Sequence, residues 1–183
     1  MKTIFLIRHG EAAASWDDNP DPELSDGGYQ QAKSLVGVFS TATVSHIYSS
    51  PMLRAQQTAK PLALARNLSI SVDDAFREIP TPVNIPVEKR VAWLKRCADR
   101  SWQEMDSALS AWRERIIARF QELPDNTAVF THFMVMNAVF GFLQGSTRLV
   151  AYQPGHCSVL TLGWRNGRWC IVDAGRQSPS PVL

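Results

Sequence analysis

Cysteine is scarce in this chain of 183 residues, which has three, at Cys97, Cys157 and Cys170. Their number is odd, they are widely spaced and none forms a Cys-x-x-Cys pair, so the sequence predicts neither a disulfide framework nor a zinc knuckle. A chain of this kind fits a reducing compartment. We therefore expect a cytoplasmic protein whose stability comes from a hydrophobic core, for which this length is sufficient.

The chain also has little excess charge of either sign, since 19 Lys and Arg stand against 17 Asp and Glu and the formal net charge is +2. Binding to nucleic acid needs clustered basic residues, so the composition predicts no nucleic-acid partner. Long apolar runs are missing as well. The run at 3–7 is too short for a signal peptide, and residues 128–143 are interrupted by Thr131, His132 and Asn137 and fall short of the roughly 20 residues of a membrane span. The sequence therefore predicts no membrane partner.

Four short motifs stand out against this ordinary composition, and most of them follow an apolar segment that is predicted to be a strand. They are Arg8-His9-Gly10-Glu11, Ser50-Pro51-Met52-Leu53-Arg54-Ala55, Phe76-Arg77-Glu78-Ile79 and Thr131-His132. Ligands of open α/β sheets bind beyond the carboxyl ends of the strands. We therefore expect the two arginines, the two histidines and the carboxylate to meet in one pocket.

These residue types suit phosphate chemistry. An arginine offers a permanently charged fork of hydrogen-bond donors, and a neutral histidine offers a nucleophilic nitrogen. A partly buried carboxyl group can give a proton to a departing alkoxide and take one back from water. A metal ion is disfavoured, because Arg8 beside His9 would repel a dication, and no cofactor is predicted.

Taken in order, the motifs resemble those of the histidine phosphatase superfamily, which also contains the cofactor-dependent phosphoglycerate mutases. A further stretch, Leu24-Ser25-Asp26-Gly27-Gly28-Tyr29-Gln30-Gln31-Ala32, is similar to the family pattern Leu-Thr-x-x-Gly-x-x-Gln-Ala. The alternation of strands and helices predicts an α/β fold, and the resemblance implies a three-layer sandwich with a mostly parallel central sheet and helices on both faces. We expect residues 1–183 to form one domain, with 79–102 as a cap or an insertion near the substrate.

The resemblance implies a metal-independent phosphatase that hydrolyses a phosphate monoester, either a phosphorylated small molecule or a phosphoprotein. His9 would become a phosphohistidine, Arg8, Arg54 and His132 would bind the phosphate, and Glu78 would be the proton donor. Two alternatives remain. One is phosphoglycerate mutase-like phosphoryl transfer, against which the length argues, and the other is a catalytically weak phosphate-binding regulatory module.

The chain departs from the family pattern at several positions near these motifs. Ala12 stands where many members have Thr, and Phe133 follows the late histidine where a glycine is common. Glu11 is expected to orient the nucleophile or lie at the surface, and His156 is expected to be structural or exposed. Because the residues after Glu78 also differ from the family signature, the natural substrate and the oligomeric state stay open.

Periodicity and turn signals predict the remaining elements. Pro61 is expected to kink or end the helix that follows Pro51, near Lys60. A basic helix that could recruit an acidic substrate is predicted over 87–100, a long amphipathic helix over 103–123, and a β-hairpin turning at Asn166-Gly167. Residues after Gly175, with Pro179 and Pro181, are predicted to be poorly ordered.

Overall fold

The computed structural model describes residues 2–15 and 17–178. Within them, six strands form one sheet: β1 Thr3–Arg8, β2 His46–Ser49, β3 Ile70–Val72, β4 Thr127–Thr131, β5 Val159–Arg165 and β6 Arg168–Asp173. Five α-helices accompany the sheet: α1 Asp26–Val38, α2 Leu53–Arg66, α3 Arg90–Cys97, α4 Ser107–Glu122 and α5 Phe133–Gln144. Short 3-10 helices cover Asp74–Phe76, Val87–Lys89 and Trp102–Glu104.

The strand order is β3-β2-β4-β1-β5-β6. The pairs β3/β2, β2/β4 and β4/β1 are parallel, whereas β1/β5 and β5/β6 are antiparallel. This confirms the predicted mostly parallel sheet with an antiparallel hairpin at one edge. As a consequence, the carboxyl ends of β1, β2 and β4 lie side by side.

Helices cover both faces of the sheet, which confirms the three-layer prediction. Side chains along a strand alternate between faces, so in β1 Phe5 and Ile7 pack with residues of α1 and α2, while Ile4 and Leu6 pack with residues of α3, α4 and α5. Burial on both faces explains why the sequence of β1 is a continuous apolar run.

The prediction that Pro61 kinks or ends its helix near Lys60 was wrong about the end, because α2 continues to Arg66. Ala59 and Leu62, on either side of the proline, are fully buried against the sheet. Tertiary packing on both sides therefore outweighs the loss of one backbone hydrogen bond. The helix ends at Asn67, which adopts the left-handed conformation with φ 52°.

The two helices predicted after Ile85 have different bounds from those expected. Instead of one helix over 87–100, a 3-10 turn leads into α3, which ends at Cys97. Arg90, one of its predicted basic residues, is buried and its Nε donates to the Val87 carbonyl at 3.1 Å. The helix predicted from 103 begins only at Ser107, because Asp106 accepts a hydrogen bond from the Leu109 amide and caps α4.

The hairpin prediction is confirmed. Asn166 and Gly167 have φ values of 51° and 76°, as a type I′ turn requires. In the segment after Gly175, which was predicted to be poorly ordered, Gln177 forms an isolated β-bridge with Pro154. Pro179 and Pro181 lie outside the described residues. Among the residues described, no helix has the length and apolar character to cross a membrane.

Candidate active site

The parallel register of the sheet brings three of the sequence motifs together. Arg8 at the end of β1 pairs with Thr131 at the end of β4, and Ser49 of β2 pairs with Phe130 of β4. The next residue of each chain segment then leaves the sheet at the same edge. The His9 amide donates to the Thr131 carbonyl at 2.9 Å, which fixes the two histidine-bearing ends to each other.

His9 is held in one orientation by contacts to both ring nitrogens. Its Nδ1 lies 2.7 Å from the Gly10 carbonyl oxygen, and its Nε2 accepts a hydrogen bond from Arg54 Nε at 3.2 Å. A carbonyl can only accept and an arginine can only donate, so the proton is on Nδ1 and Nε2 carries a lone pair. Burial, followed by the charges of Arg54 and of His132 and Arg8, holds the pKa of His9 well below its ordinary value.

Arg54 connects the two histidines. It lies in the first turn of α2, is 4% exposed, and its second guanidinium nitrogen, Nη2, lies 3.3 Å from His132 Nδ1. Its Nη1 is 3.7 Å from the carboxylate of Asp21, whose Oδ1 also accepts from the Leu53 amide. Burial lowers the pKa of Arg54, while Glu78 and then Asp21 oppose that shift. Sequence reasoning missed Asp21, which lies in a loop far along the chain from Arg54.

Arg8 approaches the same site from the end of β1. Its Nη1 donates to the Pro154 carbonyl at 2.7 Å, and its guanidinium carbon lies 5.1 Å from the ring centre of Phe133. Burial lowers the pKa of Arg8 to about 10, with the charge of Glu78 acting in the opposite direction. The side chain therefore stays cationic at neutral pH.

His132 lies beneath Arg54 and is fully buried. Its Nε2 is 2.7 Å from Ser50 Oγ, and its Nδ1 faces the Arg54 guanidinium. The ring centres of His132 and His9 are 5.2 Å apart. The structure thus brings His132 to the cluster, although it is not among the residues that line the cavity described below.

Glu78 follows the 3-10 turn Asp74–Phe76 and is partly buried. Its Oε1 accepts hydrogen bonds from the Ile79 amide at 2.8 Å and from the Met134 amide, at the start of α5, at 3.3 Å. Burial raises the pKa of Glu78, whereas these two amides and the charges of Arg54 and Arg8 partly offset that rise. The net direction, which the sequence left open, is upward.

A cavity of about 400 Å³ opens at this edge of the sheet, and four of the five predicted catalytic residues line it. Its lining consists of Arg8, His9, Glu11, Ala12, Ala13, Ala14, Ser15, Pro22, Arg54, Glu78, Val91, Leu94, Phe133 and His156. Among the described residues, no group of three or more His, Cys, Asp and Glu side chains is arranged to hold a metal ion.

His156, which was expected to be structural or exposed, lines this cavity. Its ring centre lies 5.9 Å from that of His9, and burial, followed by the charges of Arg8 and Arg176, lowers its pKa to about 4. It is therefore neutral at neutral pH. His46, the other histidine, is exposed at the start of β2.

The stretch around Gly28 supports the site without lining the cavity. A side chain at Gly28 would come within 2.1 Å of the Glu11 carbonyl oxygen, so only glycine permits this approach between α1 and the loop after β1. Gln31 accepts a hydrogen bond from the Glu11 amide at 2.9 Å, and Ser25 caps α1 by accepting from the Gly28 amide. Thr58 of α2, which sequence reasoning missed, accepts from the Gly10 amide at 3.0 Å.

The sequence matches the family model of the histidine phosphatase superfamily (branch 1) over residues 4–176. The chain belongs to the histidine phosphatase superfamily. The resemblance carried by the short motifs is thus confirmed over nearly the whole chain.

Curated members of the superfamily match part of the chain. Phosphoserine phosphatase 1 of Hydrogenobacter thermophilus is 38% identical over 87 residues, which are 43% of this chain and 39% of that protein. A protein of Yersinia pestis described as probable phosphoglycerate mutase GpmB is 34% identical over 94 residues, 48% of this chain and 44% of that protein. The chain thus spans less than half the length of these curated relatives.

Solved phosphatase structures share the fold over nearly the whole chain. A phosphoserine phosphatase of Entamoeba histolytica in complex with 3-phosphoglyceric acid superimposes with a TM-score of 0.75 at 19% identity, over 97% of this chain and 98% of that one. A mycobacterial glucosyl-3-phosphoglycerate phosphatase gives a TM-score of 0.74 at 22% identity, over 97% and 100% of the two chains. At this identity the likeness shows the fold alone.

Proposed function

We propose that this histidine phosphatase hydrolyses phosphate monoesters, from a small molecule or a phosphoprotein, through a phosphohistidine intermediate on His9. The observation that carries the proposal is the state of His9 Nε2, an unprotonated nitrogen of a residue that lines the cavity together with two arginines and a carboxyl group. A phosphate monoester is anionic and repels nucleophiles, so a catalyst has to surround the phosphoryl group with positive donors. Arg8 and Arg54 supply them.

In the first step, His9 Nε2 attacks phosphorus as the ester P–O bond breaks. The leaving oxygen takes the proton of Glu78, which burial favours in its protonated form. The products of this step are an alcohol, a phosphohistidine and the Glu78 carboxylate. Arg8 and Arg54 bind the phosphoryl oxygens throughout.

In the second step, the Glu78 carboxylate takes a proton from water, whose oxygen attacks phosphorus. The N–P bond breaks, its electron pair returns to Nε2 and inorganic phosphate is released. Glu78 ends protonated and His9 ends neutral, so both residues are ready for another substrate. A single carboxyl group of raised pKa thus serves as acid and then as base.

His132 is proposed to act on the phosphoryl group together with Arg54. Both of its ring nitrogens are engaged, with Ser50 Oγ and with the Arg54 guanidinium. A direct hydrogen bond from His132 to phosphate therefore requires Arg54 to turn toward the ligand. In the arrangement described here, His132 orients Arg54 from behind.

Residues 79–102 are proposed to form the cap of the site. Val91 and Leu94 of α3 line the cavity, and the Val91 amide donates to Asp17 Oδ1 at 3.0 Å. That hydrogen bond joins the cap to the loop after β1, which forms another part of the wall. The leaving group would therefore lie between these two segments.

The proposal is tested by trapping the intermediate. The protein is mixed with a ³²P-labelled aryl phosphate and quenched in alkali, where phosphohistidine survives and aryl esters are removed by gel filtration. We expect labelled protein with the unchanged sequence and with His46→Ala, which alters an exposed histidine, and no label with His9→Ala. Label that persists in His9→Ala would contradict the proposal. Turnover that is lost on adding a chelator would contradict metal independence.

The similarity to the probable phosphoglycerate mutase favours a second candidate, phosphoryl transfer between positions of a sugar acid. Both reactions share the phosphohistidine and differ in the acceptor, which is water for a phosphatase and a hydroxyl group for a mutase. Incubation with 3-phosphoglycerate separates the two. Release of inorganic phosphate supports hydrolysis, and formation of 2-phosphoglycerate without phosphate release supports the mutase reaction.

A further inference from the structure

The cavity has an apolar wall beside its phosphate-binding residues. The wall is built by three separate parts of the chain, and its members are the alanines at 12–14, Pro22, Val91, Leu94 and Phe133. Leu94 and Phe133 are buried, whereas Ala13 is exposed at the rim. An apolar lining with a few convergent polar groups is what a small-molecule site needs to bind an apolar group and orient a polar one.

Three of the four charged residues of the lining serve the phosphoryl group and the proton transfer, and the fourth, Glu11, is an anion. Among the described residues that line the cavity, the cations are Arg8 and Arg54, and the anions are Glu11 and Glu78. A carboxylate on the leaving group would have to share the arginines with the phosphoryl oxygens and would approach Glu11. A further arginine, Arg90, is not part of the lining and donates to the Val87 carbonyl.

Two departures from the family pattern coincide with this wall. Ala12 stands where many members have Thr and so lacks a hydroxyl group, and Phe133 stands where a glycine is common and so adds an aromatic ring; both residues line the cavity. The Phe133 ring also covers the Arg8 guanidinium at 5.1 Å. The lining is therefore more apolar than the motifs alone would indicate.

We infer that the natural substrate of this site carries an uncharged, apolar leaving group, such as an aryl or branched alkyl alcohol, rather than a carboxylate-bearing one. The inference rests on the proposed phosphatase function and names its substrate class. It distinguishes this chain from the relative named as a phosphoserine phosphatase and from the solved phosphoserine phosphatase in complex with 3-phosphoglyceric acid. Apolar surface removed from water stabilises the bound ester, whereas a carboxylate would lose its hydration without gaining a cation of its own.

A matched pair of substrates tests the inference, namely phenyl phosphate and 4-carboxyphenyl phosphate, which share a scissile bond and a ring. We expect kcat/KM to favour phenyl phosphate by at least about 100-fold, as expected when a charged group enters a site with no partner for it. Ala13→Arg adds a cation at the exposed rim and is expected to reduce that preference by about fivefold or more. Ala92→Arg makes the same change on the exposed side of α3, outside the lining, and serves as the control.

Three results would overturn the inference. The first is an equal kcat/KM for the two esters, and the second is a preference for phenyl phosphate that changes by the same factor in both arginine variants. The third is a preference for an ester with an aminomethyl group, which would assign recognition to Glu11. Calorimetry with the matching phosphonates separates this failure from failure of the proposed function. If no ester releases phosphate but phenylphosphonate binds more tightly than its carboxylated analogue, the apolar site stands and the phosphatase proposal falls. If neither phosphonate binds, the inference falls as well.

Discussion

The substitution His9→Asn is expected to make the protein less sensitive to acid, because it removes a histidine that the folded state holds neutral. In the unfolded chain a histidine has a pKa of about 6.5, whereas burial and the neighbouring arginines hold the pKa of His9 well below that value in the folded protein. Below the unfolded pKa, the unfolded chain binds a proton that the folded protein does not. The stability is therefore present above this pH and is lost as the pH falls.

The size of the effect follows from the number of protons. Each buried neutral histidine lowers the free energy of unfolding by about 1.4 kcal/mol for each pH unit of acidification well below its unfolded pKa, so His9 and His132 together account for about 2.8 kcal/mol per unit. Glu78 acts in the opposite direction, because its pKa is raised and the folded state keeps its proton. His156, whose pKa is about 4, adds to the loss. These other contributions cancel when the variant is compared with the unchanged protein, which leaves about 1.4 kcal/mol per unit for His9.

Urea unfolding measures this difference, with the fluorescence of the buried Trp112 among the tryptophans that report it. Free energies of unfolding are determined at several pH values between about 5.5 and about 4.5, where the unfolded histidine is mostly protonated. His46→Asn removes an exposed histidine instead and serves as the matched control. Equal slopes for His9→Asn and the unchanged protein would refute the conclusion that the folded state keeps His9 neutral.

Three further results are expected. Glu78→Gln should lower kcat for alkyl phosphates by about 10²- to 10⁴-fold and for p-nitrophenyl phosphate by much less. Steady-state rates measure this, with Glu114→Gln at an exposed position as the control. Equal losses for both substrates would count against Glu78 as the acid. Arg54→Ala should reduce kcat/KM by about 100-fold or more while the exposed Arg115→Ala does not, and an active Arg54→Ala would remove Arg54 from the phosphate site. Phe120→Ala should destabilise the fold by about 3–5 kcal/mol, since Phe120 is fully buried, and a loss below about 1 kcal/mol in urea unfolding would contradict its place in the core.

Features set by strand ends could be predicted from the sequence. The apolar runs that lead to Arg8 and to Thr131 place both residues where buried strands end, and a parallel register then brings them together. The turn at Asn166-Gly167 could be predicted for a similar reason, because two residues with positive φ leave few alternatives. In each case one local signal determines the outcome.

Features set by long-range packing could not be predicted. Pro61 lies within α2 because the helix is packed on the sheet on both sides of it, which no local signal records. The contact of Asp21 with Arg54 depends on the path of a loop, and the position of His132 beneath Arg54 depends on rotamers. The sequence indicates which residues form the candidate site. Which of them line the cavity, as Arg54 does, and which lie behind the lining, as His132 does, depends on the packing.

The arginines of this site have two effects that reinforce each other. Their charge adds to burial in lowering the pKa of His9 and so preserves the lone pair of Nε2, and under the proposed function the same charge attracts a phosphoryl group. In the structure, Arg54 Nε donates to that lone pair at 3.2 Å and thereby occupies the nucleophile. A phosphoryl group that draws the Arg54 donors to its own oxygens would release Nε2 at the moment when phosphorus comes within reach. Binding of the anion would then activate the nucleophile without any change in the protonation of His9.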